Sequence, residues 1–511
     1  MATRHPLVTL VCGALTLAFG FSSSLMAARL PVEDAALRIR LFSRTAIAEA
    51  RVNGRSIRAP HTGLYQGQVT LEVRGTKPLI LDHLNISTRA GHLLFTAHIP
   101  LEQYVASVLA GELNGITNAE TLKAMAVAIR TYGIRHRSAH SNEGYDLCDT
   151  THCQNVYWSQ RKKYHQDAAE STEGLLLWWK GEPAATYYAA HCGGTSEGSP
   201  MGAYLPAKAD SHCVTRGNDH WRAAFTGSQL ATALSLKAPA MTIEVTERSA
   251  SGRANYLRVN GRRMGANQFQ SALGSRYGWQ VKSLLFDVTR VGDKFVFAGR
   301  GRGHGVGLCQ IGAIQMGASG HSSREILEQY YPGAKIGLTA QGLDWVSRRG
   351  ERMELLSTNP EQDEFVLAAG ERALKEAELR AHSSYAGRVQ LKLFPTVATF
   401  RNATGESGLV AASTRGRVVR MQPARTLQSK QVLDSTLLHE FLHVVLESQA
   451  KAGQPWWFRE GLALELTGDK PTDAKYTDAL QRVRHLVTQH GLDRVLTFWR
   501  QGLAADIPSE D

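Results

Sequence analysis

Several signatures are absent from this chain of 511 residues, and each absence narrows its class. No block of lysine and arginine with interleaved aromatics occurs, so the charged stripe of a nucleic-acid binder is missing. There is no internal repeat and no low-complexity tract, which excludes a repeat architecture. After the first thirty residues no apolar run approaches the roughly 20 residues that span a bilayer. Cysteine is sparse at six, and Cys12 lies among the first thirty residues. The other five, Cys148, Cys153, Cys192, Cys213 and Cys309, allow at most two disulfides and leave one thiol over.

What is present describes soluble globular protein: 43% hydrophobic and 20% charged residues. At roughly 150 residues per domain the length implies two to four units. Residues 1–28 combine Arg4 and His5, an apolar run from Leu7 to Phe21 and small residues ending at Ala27 and Ala28, the pattern of a secretory signal. An uncleaved anchor is the rival reading, although the run is short for a span. The expectation is an exported protein, periplasmic or extracellular, that meets the membrane only transiently. Its net charge of +12 suits an acidic polymer such as cell wall.

The pattern implies an α+β fold in two units. Residues 29–345 read as a strand-rich front domain: alternating segments such as "GQVTLEV" and "HLLFTAHI", a helical hairpin over 101–136, then mixed strands and loops. A linker is expected at 346–364, with Pro360 opening an amphipathic helix. Residues 365–505 read as a mainly helical back domain.

In the hairpin, Leu101, Val105, Val108 and Leu109 share one helical face, and Glu112 ends the same stripe. Thr117 and Glu120 have the spacing of a capping box for the second helix. A carboxyl group at the end of an apolar stripe is desolvated and stays protonated, as a general acid for a glycosidic oxygen must. A buried structural glutamate has the same pattern. Further on, the glycines of "GHGVG" permit close backbone approach to a ligand, or simply make a turn.

The segments "PLEQYVASVLAGEL", "LKAMAVAIRTY", "CDTTHCQNVY", "YYAAHCGGTSE" and "GRGRGHGVGLCQIGAIQMGASGHSSREILEQYYPGAKI" follow in this order. Together they resemble the SpoIID/LytB family, stage II sporulation protein D and amidase enhancers, over about residues 35–340. The resemblance implies action on peptidoglycan, with Glu112 in the position of the family's catalytic glutamate in lytic transglycosylases. It further implies Arg130, His152, Gln154, His304 and Gln310 as sugar-contacting or orienting groups. Arg302 stands where relatives often carry an aromatic residue, which puts substrate stacking there in doubt. Cys148, Cys153, Cys192 and Cys213 are candidates for disulfides, paired in sequence order with Cys309 left over, or for a structural metal. With His140 and His152, Cys148 and Cys153 offer soft ligands for a second, structural zinc.

In the back domain "LLHEFLHVVLE" holds His439, Glu440 and His443 with HExxH spacing, which puts both imidazoles on one side of a helix. Gly453 and Pro455 end that helix, and the next, "WWFREGLALELTG", returns Glu460 as a third ligand. Two histidines and a glutamate leave a position open, as catalytic zinc requires, with Glu440 as base. Glu465 is a weaker ligand candidate. With "LKLFPTVATFRNATG", these segments resemble the peptidase-MA-like gluzincins. The combined expectation is an exported cell-wall enzyme with a transglycosylase cleft and a zinc peptidase or amidase. The alternative is a non-catalytic peptidoglycan-binding enhancer of a separate amidase, fused to a protease-like domain.

Overall fold

The computed structural model describes residues 36–213, 220–237, 241–504 and 507. The expected signal segment, residues 1–28, lies outside the described residues. Among the described residues no helix is long and apolar enough to cross a membrane.

The front domain begins with a seven-stranded sheet. Its order is Arg55–Arg58, Glu49–Val52, Gly63–Glu72, Leu79–Arg89, His92–Ile99, Leu37–Leu41 and Leu147–Cys148. All neighbours are antiparallel except Leu37–Leu41 with Leu147–Cys148. The hairpin between Leu79–Arg89 and His92–Ile99 turns on Ala90 and Gly91, both at positive φ, 50° and 76°. That is the backbone twist a two-residue hairpin favours. Strict alternation along His92–Ile99 sends Leu93, Phe95, Ala97 and Ile99 into the core.

Pro100 then starts the helix Leu101–Glu112, whose apolar face enters the same core. The second helix, Ala119–Arg135, completes the expected hairpin, but its cap differs from expectation. Asn118, not Thr117, accepts the Thr121 N–H at 2.9 Å while its amide donates to Gly317 O. Glu120 is drawn away to accept the Ser323 N–H at 2.8 Å, capping a helix two hundred residues on. Tertiary partners outbid the local box.

The stretch expected as mixed strands and loops holds further helices, Lys163–Ser171, Gly227–Ala233, Ala266–Tyr277, Gln310–Ala318 and Ser323–Tyr330. Between residues 220 and 300 two three-stranded sheets pack with two of these helices around a separate core containing Trp221, Phe225, Phe269 and Phe297.

The expected linker is a correction. Val346–Arg349 and Met353–Ser357 are strands in a five-stranded sheet with Val389–Leu393, Val418–Met421 and Ala412–Arg415. Met353, Leu355 and Ser357 are buried, so these residues belong to the back domain. Pro360 sits in a turn, and the helix runs Glu364–Arg380 behind Asp363, whose carboxylate is taken by the Ser357 hydroxyl. Helices Leu433–Glu447, Trp456–Thr467, Ala474–His490 and Leu492–Gln501 follow, so the region is mainly helical, as expected.

The two units meet over a buried interface. Phe394, Phe400 and Ala403 form a small core with Trp345, whose indole donates to Glu173 O at 2.9 Å. The Glu173 side chain, buried on the front domain, receives Lys392 Nζ at 2.7 Å and Arg420 Nε at 2.5 Å from the back-domain sheet.

Two candidate sites: a single-carboxylate cleft and a His-His-Glu triad

Glu112 stands at the last turn of its helix and opens into a cleft of about 480 Å³. The walls bring Trp221, Lys282, Arg302, Gln310 and Ile314 from distant parts of the chain. Glu112 Oε1 accepts the Asn155 N–H at 2.9 Å, and Oε2 accepts Gln310 Nε2 at 3.1 Å. Both carboxyl oxygens are thus oriented. The loop carrying Asn155 reaches the helix end because residue 111 is glycine: a Cβ there would lie 2.3 Å from Asn155 O. Burial of Glu112 raises its pKa above the ordinary carboxyl value, against the lowering effect of the Asn155 and Gln310 hydrogen bonds. Among the described residues lining the cleft Glu112 is the only carboxyl group.

This balance gives a prediction. Gln310→Leu removes a hydrogen bond that favours the carboxylate, so the Glu112 pKa rises further. The alkaline limb of any Glu112-dependent activity should move to higher pH, and a pH–rate profile of wild type and variant checks it.

The other residues expected at the sugar site divide. His304 is exposed on the glycine-rich loop, its Nδ1 accepting the Val306 N–H and its ring edge against Tyr187. Gln154 is buried, accepting from Tyr104 Oη at 2.8 Å and donating to Tyr188 Oη at 2.9 Å. It supports the loop behind Glu112 and lies outside the lining. Arg130 is a correction: it is 1% exposed, and its guanidinium grips Glu102 and the carbonyls of Ala169 and Leu175. An arginine so enclosed holds helix Lys163–Ser171 against the hairpin and lies outside the lining of the Glu112 cleft. His152 is likewise drawn elsewhere, to sulfur.

No disulfide joins any of the five described cysteines. Cys148, Cys153, His140 and His152 place one ligand atom each within 4.8 Å of one another. The His140 ring nitrogen Nε2 is 3.3 Å from Cys153 Sγ, and its Nδ1 pairs with Glu143 at 2.8 Å, the outer carboxylate common around metal-bound histidine. Cys192, Cys213 and Cys309 gather separately. Cys309, expected to be left over, lies 3.4 Å from Cys213.

In the back domain His439 and His443 project from the helix Leu433–Glu447 with their Nε2 atoms 3.1 Å apart. Glu460 Oε2 approaches them at 3.8 and 3.4 Å. Ligands held about 2.0–2.2 Å from a tetrahedral zinc stand about 3.4 Å apart, so this donor set fits the ion. Burial opposes a charged His439, but Asp469, 3.5 Å from its Nδ1, and Glu460 together raise it to about 10. Asp469 fixes that ring as an outer-sphere partner does. Glu440, beside the triad, accepts the Thr414 hydroxyl at 2.6 Å. Glu465 turns away to Arg484.

Sequence reasoning missed Asn155, Trp221 and Lys282 in the cleft, and Thr414 and Asp469 at the triad. None has a spacing signal, because each arrives from a separate loop or strand.

Comparison with known proteins defines the class. Residues 89–179 match the Stage II sporulation protein family, SpoIID, and residues 190–307 match a domain of unknown function, DUF8618. Residues 89–179 are therefore similar to a SpoIID domain. Stage II sporulation protein D of Bacillus subtilis is 27% identical over 262 residues, 47% of this chain and 75% of its own length. An uncharacterized protein of Brachyspira hyodysenteriae is 29% identical over 259 residues, covering 48% of this chain and 68% of its own. The amidase enhancer of Bacillus subtilis is 24% identical over 293 residues, and the match spans 39% of that protein.

Proposed function

We propose that the protein is an exported cell-wall enzyme whose front cleft cuts peptidoglycan glycan strands by transglycosylation and whose back domain is a zinc-dependent peptidase or amidase. The observation that carries the first activity is a single desolvated, doubly hydrogen-bonded carboxyl group in an open cleft of a SpoIID domain. The Glu112 carboxyl donates its proton to the oxygen between MurNAc and GlcNAc as that bond breaks. The resulting carboxylate takes the proton of the MurNAc 6-hydroxyl, which closes on C1 to a 1,6-anhydro ring. No water is consumed, so one carboxylate suffices where a hydrolase of the common kind uses two. Lys282 and Arg302 on the lining suit the lactyl carboxylate that MurNAc exposes once its peptide is gone.

In the back domain His439, His443 and Glu460 would hold zinc, which polarises a carbonyl as a Lewis acid when bound. Glu440, steadied by Thr414, takes a proton from the attacking water and returns it to the leaving nitrogen. Stem peptides or cross-links are the proposed substrate, since they occur in the same polymer. Four soft ligands converging at Cys148 support a second, structural zinc there. Because Glu440 is not a ligand, Glu440→Gln should keep its zinc by elemental analysis and lose about 10²–10⁴-fold in peptide hydrolysis.

Likeness to an amidase enhancer favours a second reading, in which the cleft binds glycan without cutting it and stimulates a cell-wall amidase. The deciding experiment incubates the protein with intact sacculi and with glycan strands stripped of peptide. Anhydro-ended products by mass spectrometry support transglycosylation. No anhydro ends on either substrate, together with stimulation of an added amidase, supports the second reading.

A further inference from the structure

Beside the cleft, and used by neither proposed activity, three cysteines and an aspartate converge in the protein interior. Cys192, Asp210, Cys213 and Cys309 are all buried, and each places one ligand atom within 4.8 Å of the other three. We propose that these four residues form a zinc site that pins the back wall of the Glu112 cleft.

The distances suit an ion better than a covalent bond. Zinc bonds of about 2.3 Å to sulfur and 2.0–2.2 Å to oxygen place neighbouring tetrahedral ligands about 3.5–3.8 Å apart. Cys213 Sγ and Cys309 Sγ are 3.4 Å apart, and Cys192 Sγ is 3.3 Å from Asp210 Oδ2. A disulfide joins two sulfurs only and would leave the third thiol facing a buried carboxylate. Four donors around one point are what a closed structural zinc site requires.

The surroundings orient these donors as an outer shell does. Asp210 Oδ1 accepts the backbone N–H groups of His212 and Cys213, both at 3.1 Å, which turns Oδ2 toward the sulfurs. Tyr330 Oη donates to Oδ2 at 3.1 Å. It reaches there only because residue 312 is glycine, where a Cβ would lie 1.9 Å from that hydroxyl. Cys309 Sγ receives the N–H of Cys192 at 3.3 Å and of Gly312 at 3.4 Å. It also caps the helix Gln310–Ala318, whose N-terminal dipole favours a thiolate. Three thiolates, one carboxylate and a divalent ion sum to a charge of about −2. The buried Arg253 offsets part of it, its guanidinium donating to Cys192 O at 2.6 Å and Thr195 O at 2.9 Å.

The position gives the site a purpose. Cys192 follows the cleft residues Ala190 and His191, and Cys309 precedes Gln310, which holds Glu112. One ion therefore ties together two walls that are 117 residues apart in the chain.

Cobalt substitution separates this site from the others. The His-His-Glu triad has no thiolate, so in full-length protein carrying both Cys148→Ser and Cys153→Ser and loaded with Co²⁺, any strong sulfur-to-metal charge-transfer band belongs to the Cys192 cluster. That band is expected in the Cys148→Ser/Cys153→Ser protein, and adding Cys213→Ser should abolish it. Zinc content should fall by one equivalent per chain in both Cys213→Ser and Asp210→Ala. The first measurement leaves all four proposed ligands intact, so misfolding of the ligand variants cannot shield the proposal. Absence of the band in the Cys148→Ser/Cys153→Ser protein overturns it, as does mapping of unreduced protein that finds Cys213 disulfide-linked to Cys192 or Cys309.

Discussion

Replacing Glu112 by Gln should lower the release of anhydro-ended glycan by about 10²–10⁴-fold, the range that one general acid–base group contributes. The substitution is nearly isosteric. The amide oxygen still accepts the Asn155 N–H, and the Gln310 amide can turn its oxygen toward the new NH₂, so the cleft keeps its shape. What disappears is the proton for the glycosidic oxygen and the base for the 6-hydroxyl. Because one group serves both steps, the loss falls on turnover, and glycan binding should be preserved. The measurement is quantitative mass spectrometry of products from peptide-stripped strands, with binding by sedimentation alongside. An unchanged yield of anhydro ends would remove Glu112 from the chemistry.

The second large effect concerns the contact between the two domains. Glu173→Gln should destabilise the protein by about 3–5 kcal/mol, the cost of leaving buried charge without its partner. Lys392 Nζ and Arg420 Nε reach the Glu173 carboxylate at 2.7 and 2.5 Å, and the side chains of Glu173 and Lys392 are 2% and 3% exposed. In the variant two cations remain in a site that water does not reach. Urea unfolding, followed by tryptophan fluorescence and by circular dichroism, should show an earlier transition.

The same group sets an acid dependence. Burial raises the Glu173 pKa, and the fields of Lys392 and Arg420 overcome it, holding the carboxyl down at about 2. The unfolded value is about 4.3. A folded pKa below the unfolded one means that this stabilisation is complete above about pH 4.3 and fades as pH falls toward 2. Wild type should lose that increment across this window, and Glu173→Gln should not.

Local pattern carried much of the architecture. The i, i+4 spacing alone put His439 and His443 side by side, and Gly453 and Pro455 separated their helix from the one bearing Glu460. The apolar stripe of Leu101–Glu112 set Glu112 at its end, because helical periodicity depends only on neighbours in the chain. Assignments failed where partners come from far away. Thr117 lost the cap to Asn118 because Gly317 and Ser323 compete for the same groups. Arg130, which the resemblance implies as a sugar-contacting or orienting group, is enclosed by Glu102 and two carbonyls. Residues 346–357 read as a linker because their strands are short and their sheet partners follow later in the chain.

The sequence by itself determined that one carboxylate ends an apolar helical face and that His439, His443 and Glu460 come together, since both arise within one or two helices. The tertiary structure decided what surrounds them. Asn155 and Gln310 meet Glu112 from 43 and 198 residues away, Cys309 joins Cys213 across 96, and Glu173 joins Arg420 across 247. Such meetings follow from how sheets and helices bury their apolar faces together, a property of the whole chain that no local spacing encodes.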